Sequence, residues 1–248
     1  MKCYVTAIHE NGIATLTLAD PERRNVLSEV LCEQLIDAVA AAHADQDVRA
    51  LVIAAQGPAF CAGAHRDDLR AAAEGDARVI GKVYQTFMDV ANSPLPTIAA
   101  INGPAVGAGM NLALACDLRI ASSSARFDTR FIGIGLHPGG GHGWMLVRAV
   151  GWQNAASLLL LGAAVNAAEA MRMGLVSACV ADDGLADAVA SACRRIRSAP
   201  RELLLRTKAS LRHAASASHA AAFERETAEQ KWSMQQPEFL SMLGSAQK

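Results

Sequence analysis

Alternating and helical patterns of apolar positions organise the first third of the chain. Residues 4–9 and 13–18 are short β-rich segments, and the Asn-Gly pair between them is a favoured hairpin turn. After a Pro-containing break, Ser28 precedes a stretch with helical spacing of its apolar residues that runs to about residue 43. A serine accepts hydrogen bonds from the free N–H groups of a first helical turn. The pattern therefore predicts a β-hairpin followed by an N-capped helix.

Three continuous apolar runs follow, at residues 50–55, 97–101 and 118–121. Such runs are typical of strands buried on both faces of a sheet. Residues 77–91 lie between the first two runs and have helical spacing, and a second helix is predicted to start near Gly107. Strands that alternate with helices predict an α/β fold with a mainly parallel sheet.

The C-terminal part of the chain reads as largely helical. A possible strand lies at residues 175–180, and the last helix is predicted at about residues 219–235, followed by Pro237. No linker or low-complexity segment divides the chain. We therefore expect the C-terminal helices to belong to the same folding unit as the sheet.

One segment is long enough to be tested as a membrane span. Residues 90–116 contain no charged side chain, and this length can cross a bilayer. The same segment contains prolines, asparagines and glycines that divide it into a strand, a turn and a helix. We predict a buried segment and no membrane span.

Composition narrows the function classes. Hydrophobic residues make up 52% of the 248 residues and aromatic residues only 4%, so the core is built from aliphatic side chains. The 23 Lys and Arg against 24 Asp and Glu form no basic block, which argues against nucleic-acid binding. Six scattered cysteines without a CxxC pair and an N-terminus without a signal-peptide pattern predict a cytoplasmic protein with reduced thiols.

Two turns rich in Gly and Ala carry the candidate chemistry. Residues 60–64 follow the first buried run, and residues 107–109 follow the second. Small residues allow a ligand to approach the main chain, and N–H groups at a helix start have no partner within the helix. Two such groups that converge on one point stabilise an oxyanion. Taken singly, each turn is better explained as a tight junction between a strand and a helix.

Several segments in order carry a resemblance to a known family: residues 21–27, 60–64, 100–109, 116–120, 135–141, 168–170 and 174–176. On these segments the chain resembles the enoyl-CoA hydratase/isomerase family, also called the crotonase superfamily. The resemblance covers nearly the whole chain. It implies an α/β, crotonase-like spiral of repeated ββα units in residues 1–190. It also implies a C-terminal helical trimerisation region in residues 191–248, so that the partner is a further copy of the chain in a homotrimer or a dimer of trimers.

The resemblance also implies a binding site for an acyl-CoA thioester, in which coenzyme A is part of the substrate and no separate cofactor is needed. The oxyanion hole would consist of the N–H groups of Ala64 and Ala108. The Ala62 carbonyl would accept the adenine amino group of coenzyme A. The remaining residues implied to contact the ligand are Arg23, Arg24, Val26, Gly63, His65 and Gly107. The arginines are equally explained as solvated turn residues, and His65 as a cap of the following helix.

Both positions of the usual catalytic glutamates are occupied by other residues, Asn111 and Phe131. A hydratase needs a carboxylate to activate water and a group to protonate the α-carbon. An asparagine can orient water but is no base, and a phenylalanine only shapes a pocket. The loop position at which some isomerases of the family have an aspartate is Gly139. Hydration or a double-bond shift by the usual mechanism is therefore not expected.

Other acid or base candidates lie near the same loop. His137 and His142 flank it, and a histidine there could transfer a proton near neutral pH. The alternative is that both imidazoles bind loop backbone or face solvent, and with no third ligand they are a poor metal pair, so no metal is predicted. Asp128 reaches the pocket only with a changed backbone, and an ion pair with Arg126 or Arg130 is the alternative.

Two further classes of protein fit the sequence poorly, a dinucleotide-binding dehydrogenase and an α/β-hydrolase. The third glycine of a dinucleotide-binding GxGxxG string is replaced by Leu112, and no GxSxG elbow occurs. Two functions remain. The first is an enzyme of fatty-acyl-CoA metabolism that acts on an acyl-CoA or enoyl-CoA by enolate stabilisation, with an unidentified acid or base. The second is a non-catalytic acyl-CoA-binding protein.

Overall fold

The predicted hairpin opens the fold in the computed structural model, which describes residues 2–245. Strands β1 (Val5–Glu10) and β2 (Ile13–Leu18) are antiparallel. The two residues between them, Asn11 and Gly12, have φ angles of 52° and 76°. Two consecutive left-handed residues are the requirement of a type I′ turn, which matches the twist of a hairpin. The hairpin prediction is confirmed.

The main sheet has six strands in the order β1-β2-β3-β4-β6-β9. Every pair from β2 onward is parallel. A separate three-stranded sheet has the order β5-β7-β8. The bounds after the hairpin are β3 (Ala50–Ala55), β4 (Thr97–Ile101), β5 (Ala105–Val106), β6 (Leu118–Ser122), β7 (Arg126–Asp128), β8 (Val165–Asn166) and β9 (Ala178–Val180). The three apolar runs thus form adjacent parallel strands, as expected, whereas the strand expected at residues 175–180 is only three residues long.

Helices connect the strands and make up most of the C-terminal third. Their bounds are α1 (Glu29–Ala44), α2 (Arg66–Ala73), α3 (Arg78–Ala91), α4 (Ala108–Ala115), α5 (His142–Leu160), α6 (Ala167–Arg172), α7 (Leu185–Ser198), α8 (Arg201–Ala214), α9 (His219–Met234) and α10 (Pro237–Ser245). The hydroxyl of Ser28 caps α1, as predicted. Pro237 does not end the helical region. It begins α10, because proline is favoured in a first helical turn, where its missing N–H costs no bond.

The two faces of the main sheet are covered by different helices. The larger core lies against α1, α3 and α4. On the opposite face, Val189 and Cys193 of α7 pack against Ile98 and Ile120. The boundary predicted between residues 190 and 191 therefore falls inside a helix that completes the core. The start of α8 is a better boundary for the predicted C-terminal region. Residues 246–248 of that region lie outside the described part of the chain.

A buried cation attaches the C-terminal helices to the core. Lys208 of α8 is 6% exposed and donates to the Leu95 carbonyl at 2.7 Å. Its ammonium group also lies 2.6 Å from an Asp117 carboxylate oxygen. Burial outweighs this carboxylate and lowers the pKa of Lys208. The contact supports the expectation of one folding unit. Within residues 2–245, no helix is both long and apolar enough to cross a membrane.

Candidate active site

The two Gly/Ala turns lie side by side. Cys61 forms an isolated parallel bridge with Ala105. The Cys61 N–H donates to the Pro104 carbonyl at 3.1 Å, and the Val106 N–H donates to the Cys61 carbonyl at 3.0 Å. Segments that are far apart in sequence are thereby fixed against each other at the ends of β3 and β4.

Glycine is required where the two turns touch. Gly63 has a φ of 89°, and a Cβ added to it would lie 2.6 Å from the Val106 carbonyl oxygen and 3.3 Å from the Ala108 nitrogen. A Cβ added to Gly109 would lie 2.2 Å from the Cys61 carbonyl oxygen. Real Cβ atoms do not approach backbone oxygens this closely, so the two turns meet at this distance only with glycine.

Ala64 and Ala108 line one cavity. Ala108 is the first residue of α4, where an N–H has no partner within the helix. Neither N–H donates a hydrogen bond in the described part of the chain. Gly107 precedes Ala108 and donates its own N–H to the Asp128 carbonyl at 2.9 Å, which fixes the start of the helix. The arrangement leaves two backbone donors available to a ligand in the same cavity.

The cavity has a volume of about 400 Å³ and mainly apolar walls. Helices α2 and α3 contribute the aliphatic side chains of Leu69, Ile80 and Val83. Asn111 and Phe131, which the sequence resemblance implies as the positions of the usual glutamates, also line it. No Asp or Glu is among the lining residues of the described chain. The cavity therefore offers backbone donors and apolar surface, and no carboxylate.

Four residues predicted near coenzyme A have different local roles. Asp20 accepts hydrogen bonds from the Arg23 guanidinium at 2.7 Å, and this contact raises the pKa of Arg23. The Arg24 side chain has no hydrogen bond or ion pair with residues 2–245. Its backbone carbonyl accepts the Ala62 N–H at 3.0 Å, while the Ala62 carbonyl accepts no hydrogen bond. Val26 is half-buried in the same loop. Arg24 and the Ala62 carbonyl are therefore free for a ligand, and Arg23 is engaged.

Asn25 holds this loop in place, a role that we did not predict. It is fully buried, with a φ of 54°. Its side-chain amide donates to the carbonyls of Gln56 and Ala59, both at 2.9 Å, and its side-chain oxygen accepts the Asp20 N–H at 2.8 Å. The only sequence feature that indicates this role is the residue type, because asparagine has a short polar side chain and tolerates the left-handed region.

His65 is the N-cap residue of α2, which matches the second of its two proposed roles. Its Nδ1 accepts the Asp67 N–H at 3.2 Å, and Asp67 and Asp68 lie in the first turn. Negative charge is favourable at this end of a helix. His65 is exposed beside the cavity and does not line it.

His142 lies behind Asn111 and Phe131. Its Nδ1 forms a hydrogen bond with the Asn111 side-chain oxygen, and its ring packs edge-on against Phe131 with 4.9 Å between ring centroids. The Asn111 amide donates to the Gly139 carbonyl at 3.0 Å, so its oxygen must accept from the imidazole. His142 therefore carries its proton on Nδ1, and its buried Nε2 has no partner in the described chain.

The expectation that His142 binds loop backbone or faces solvent is wrong. The side chain is fully buried, and burial lowers its pKa to about 4. A neutral imidazole that does not line the cavity is not a proton carrier near neutral pH. The sequence shows only a histidine after a Gly-rich loop and gives no indication of this burial.

We expect His142 to make the protein less stable in mild acid. An unfolded imidazole titrates near its ordinary pKa of about 6.5, so between that value and about 4 only the unfolded state gains the proton. The free energy of unfolding should therefore fall by about 3 kcal/mol as the pH falls through this window. Urea unfolding at pH 7 and pH 4.5 measures the loss. In His142→Gln the loss should be smaller, and an equal loss in both proteins would contradict the assignment.

The other two acid or base candidates have structural partners. His137 is exposed and lines the cavity, and its Nδ1 bonds to the Pro138 carbonyl at 2.8 Å, as the alternative for that residue stated. Asp128 pairs with the Arg130 guanidinium at 2.7 Å and accepts the Arg130 N–H at 2.7 Å. Asp128 does not line the cavity. Its ion-pair alternative is the observed one.

Tyr84 of α3 is a lining residue that the sequence did not indicate. A Cβ added to Gly139 would lie 2.2 Å from the Tyr84 hydroxyl oxygen, so the hydroxyl lies directly against this loop. In the sequence Tyr84 is one of several apolar and aromatic positions with helical spacing, so nothing there sets it apart as a lining residue. Among residues 2–245, no three His, Cys, Asp or Glu side chains are grouped so as to hold a metal ion.

The parallel sheet, the two joined turns and the helical C-terminal third define a protein with the crotonase-like α/β fold. The sequence model of the enoyl-CoA hydratase/isomerase family matches residues 8–241. The chain belongs to this family, whose members are hydratases and isomerases of acyl-CoA metabolism.

Individual relatives support the same family. The probable enoyl-CoA hydratase EchA14 of Mycobacterium tuberculosis is 45% identical over 245 residues, which cover 96% of this chain and 95% of the relative. The 1,2-epoxyphenylacetyl-CoA isomerase of Escherichia coli is 35% identical over an alignment that covers 79% of this chain and 77% of the relative. The crystal structure of an enoyl-CoA hydratase from Mycobacterium smegmatis has a TM-score of 0.91 at 30% identity, covering 98% and 96% of the two chains.

Proposed function

We propose that this protein binds an acyl-CoA or enoyl-CoA thioester and stabilises its enolate. The N–H groups of Ala64 and Ala108 would donate to the thioester oxygen. The observation that supports the proposal is that Ala64 and Ala108 line one cavity and that neither N–H has a partner in the described chain. Donors fixed before the ligand arrives stabilise charge that develops on an oxygen without having to reorganise.

The coenzyme A part would lie along the loop that contains Arg24 and Val26. The Arg24 guanidinium is exposed and unpaired within residues 2–245, which suits a phosphate group. The free carbonyl of Ala62 suits an amino group of the adenine. Arg23 would contribute less, because Asp20 already neutralises it. Gly63, His65 and Gly107 would border the ligand through backbone and ring surface.

The reaction would be one that needs an oxyanion hole and no pair of glutamates. Two relatives are named for different reactions on CoA thioesters, an enoyl-CoA hydratase and a 1,2-epoxyphenylacetyl-CoA isomerase. With Asn111 and Phe131 on the cavity wall, addition of water by a carboxylate base lacks its base. We therefore propose an enzyme that acts on an acyl-CoA through its enolate.

A second candidate function is non-catalytic acyl-CoA binding. The observation that favours it is the absence of any carboxylate among the described lining residues. In this case the two N–H groups would serve only to hold the thioester.

Binding and hydration measured on one sample test the proposal. We expect a long-chain acyl-CoA to bind in calorimetry, and hydration of a short enoyl-CoA to stay at the rate in buffer. The reason is that the donors are available while the base is missing. No binding of any acyl-CoA would refute the thioester site. Rapid hydration would refute the conclusion drawn from Asn111 and Phe131.

We further propose that the chain assembles as a homotrimer or a dimer of trimers through its C-terminal helices. Large apolar side chains are exposed on α8, α9 and α10, namely Leu211, Phe223 and Leu240. Apolar surface of this kind favours burial against another chain. Light scattering should give a mass of three or six chains, and a monomeric mass would contradict the proposal.

A further inference from the structure

Tyr84 lines the cavity, and its hydroxyl has no hydrogen-bond partner in the described chain. Tyr84 belongs to helix α3, and its ring packs against the Phe87 ring with an interplanar angle of 52° and 5.7 Å between centroids. Phe87 is fully buried, so the ring has a rigid neighbour. The side chain is 39% exposed, and its hydroxyl oxygen lies against Gly139.

This position places Tyr84 beside the polar contacts of the cavity. The Gly139 carbonyl accepts the Asn111 amide, and Asn111 belongs to the same short helix that begins at Ala108. The phenol and one proposed oxyanion donor are therefore connected through Gly139 and α4. A ligand held at Ala108 has the Tyr84 hydroxyl on the wall of the same cavity.

The other titratable side chains on this wall are less suitable. Among the described lining residues these are Arg130 and His137. The Arg130 guanidinium pairs with Asp128 and does not lose its proton in proteins. His137 is on an exposed loop, and one of its ring nitrogens already bonds to Pro138. Tyr84 alone combines an unpaired O–H with a fixed position on a helix.

We propose that Tyr84 transfers the proton to and from the α-carbon of the bound thioester, an inference that rests on the proposed oxyanion site. In the forward direction the phenol O–H bond breaks and its electron pair remains on the oxygen. The enolate electron pair forms the new Cα–H bond, and the thioester carbonyl is restored. In reverse the partly exposed phenol first gives its proton to a hydroxide ion of the solvent, which becomes water, and the phenolate so formed then removes an α-proton. Atoms and charge balance with water as the only source of exchangeable protons.

This step identifies the chemical class of the substrate. The substrate is an acyl-CoA with a hydrogen on its α-carbon, and the acyl group beyond it lies against the aliphatic residues of α2 and α3. Exchange of the α-hydrogen with solvent needs no carboxylate and no second reactant. It therefore uses only Tyr84, solvent and the two proposed oxyanion donors.

Exchange in heavy water tests the inference. Butyryl-CoA is incubated with the full chain in D2O, and deuterium at the α-carbon is measured by NMR at saturating ligand, with affinity measured by calorimetry. We expect exchange above the rate in buffer. In Tyr84→Phe we expect the rate to fall by about a hundredfold or more, the usual contribution of a positioned acid or base, with affinity changed by less than about threefold. Tyr4→Phe removes the same atom from the other tyrosine, outside the cavity, and should exchange like the unmodified protein.

Two results would overturn the assignment of Tyr84. One is exchange in Tyr84→Phe at the rate of the unmodified protein. The other is an unmodified protein that binds butyryl-CoA and does not exchange it, which also supports the non-catalytic candidate. A protein that binds neither butyryl-CoA nor a long-chain acyl-CoA refutes the thioester site itself and with it the inference. Affinity and exchange together thus separate the failure of one proposal from the failure of the other.

Discussion

Ala108→Pro should weaken acyl-CoA binding by at least about tenfold while the protein stays folded. Proline has no N–H, and its ring carbon would occupy the space toward which the Ala108 N–H points. A hydrogen bond to the neutral thioester oxygen is worth about 0.5–1.5 kcal/mol, and the proline ring also fills part of the space that this oxygen would occupy, so affinity should fall by at least about tenfold. Any activity that depends on the oxyanion should fall by about a hundredfold or more. Calorimetry with a long-chain acyl-CoA measures the first effect, and α-hydrogen exchange measures the second.

The fold should tolerate this proline because of where it lies. Ala108 is the first residue of α4, a position at which proline is common because the helix does not use that N–H. The residue before a proline must avoid the helical region, and Gly107 has φ 53° and ψ −118°. Circular dichroism and the midpoint of thermal unfolding should therefore remain close to those of the unmodified protein.

Ala108→Gly is the matched control for this proline. It removes the methyl group but keeps the N–H, so acyl-CoA affinity should be retained. A folded Ala108→Pro protein with unchanged affinity would show that Ala108 is not an oxyanion donor. Equal losses of affinity in both variants would show that the methyl group, which packs at the edge of the core, is what the site needs.

Local patterns in the sequence were sufficient for most elements of the fold. The hairpin, the cap at Ser28 and the buried strands follow from the period of apolar residues and from turn chemistry, which act over a few residues. The helix predicted at residues 219–235 is observed as α9, but it is not the last one, because Pro237 begins a further helix. The short strands of the second sheet, two or three residues long, have too few positions to show a period.

The candidate site could be predicted only where it consists of backbone. The positions of Ala64 and Ala108 follow from two small-residue turns and a family resemblance. Tyr84 and His142 were beyond such reasoning, because their roles depend on contacts with Gly139 and Asn111, many residues away. The sequence does not distinguish a histidine buried in a core from a histidine that faces a cavity, because the difference arises only from tertiary packing.

The contact between the two turns should also be essential for stability, and Gly109→Ala tests it. The added Cβ would lie 2.2 Å from the Cys61 carbonyl oxygen and 2.7 Å from its carbon, and neither backbone atom can rotate away. Separation of the turns would break the bonds between Cys61 and the segment before α4. We expect a loss of about 3 kcal/mol or more in unfolding free energy, measured in urea, together with loss of acyl-CoA binding.

Gly81→Ala provides the control with the same chemical change and the opposite expected sign. Gly81 lies in α3, and nothing lies within 4 Å of an added Cβ there. Alanine in a helix is favoured over glycine by up to about 1 kcal/mol, so this variant should be slightly more stable. If Gly109→Ala were as stable as Gly81→Ala, the turns would not be in tight contact. If Gly109→Ala were stable but did not bind acyl-CoA, the turns would have moved apart without unfolding. In that case the oxyanion site would depend on their contact and the stability of the fold would not.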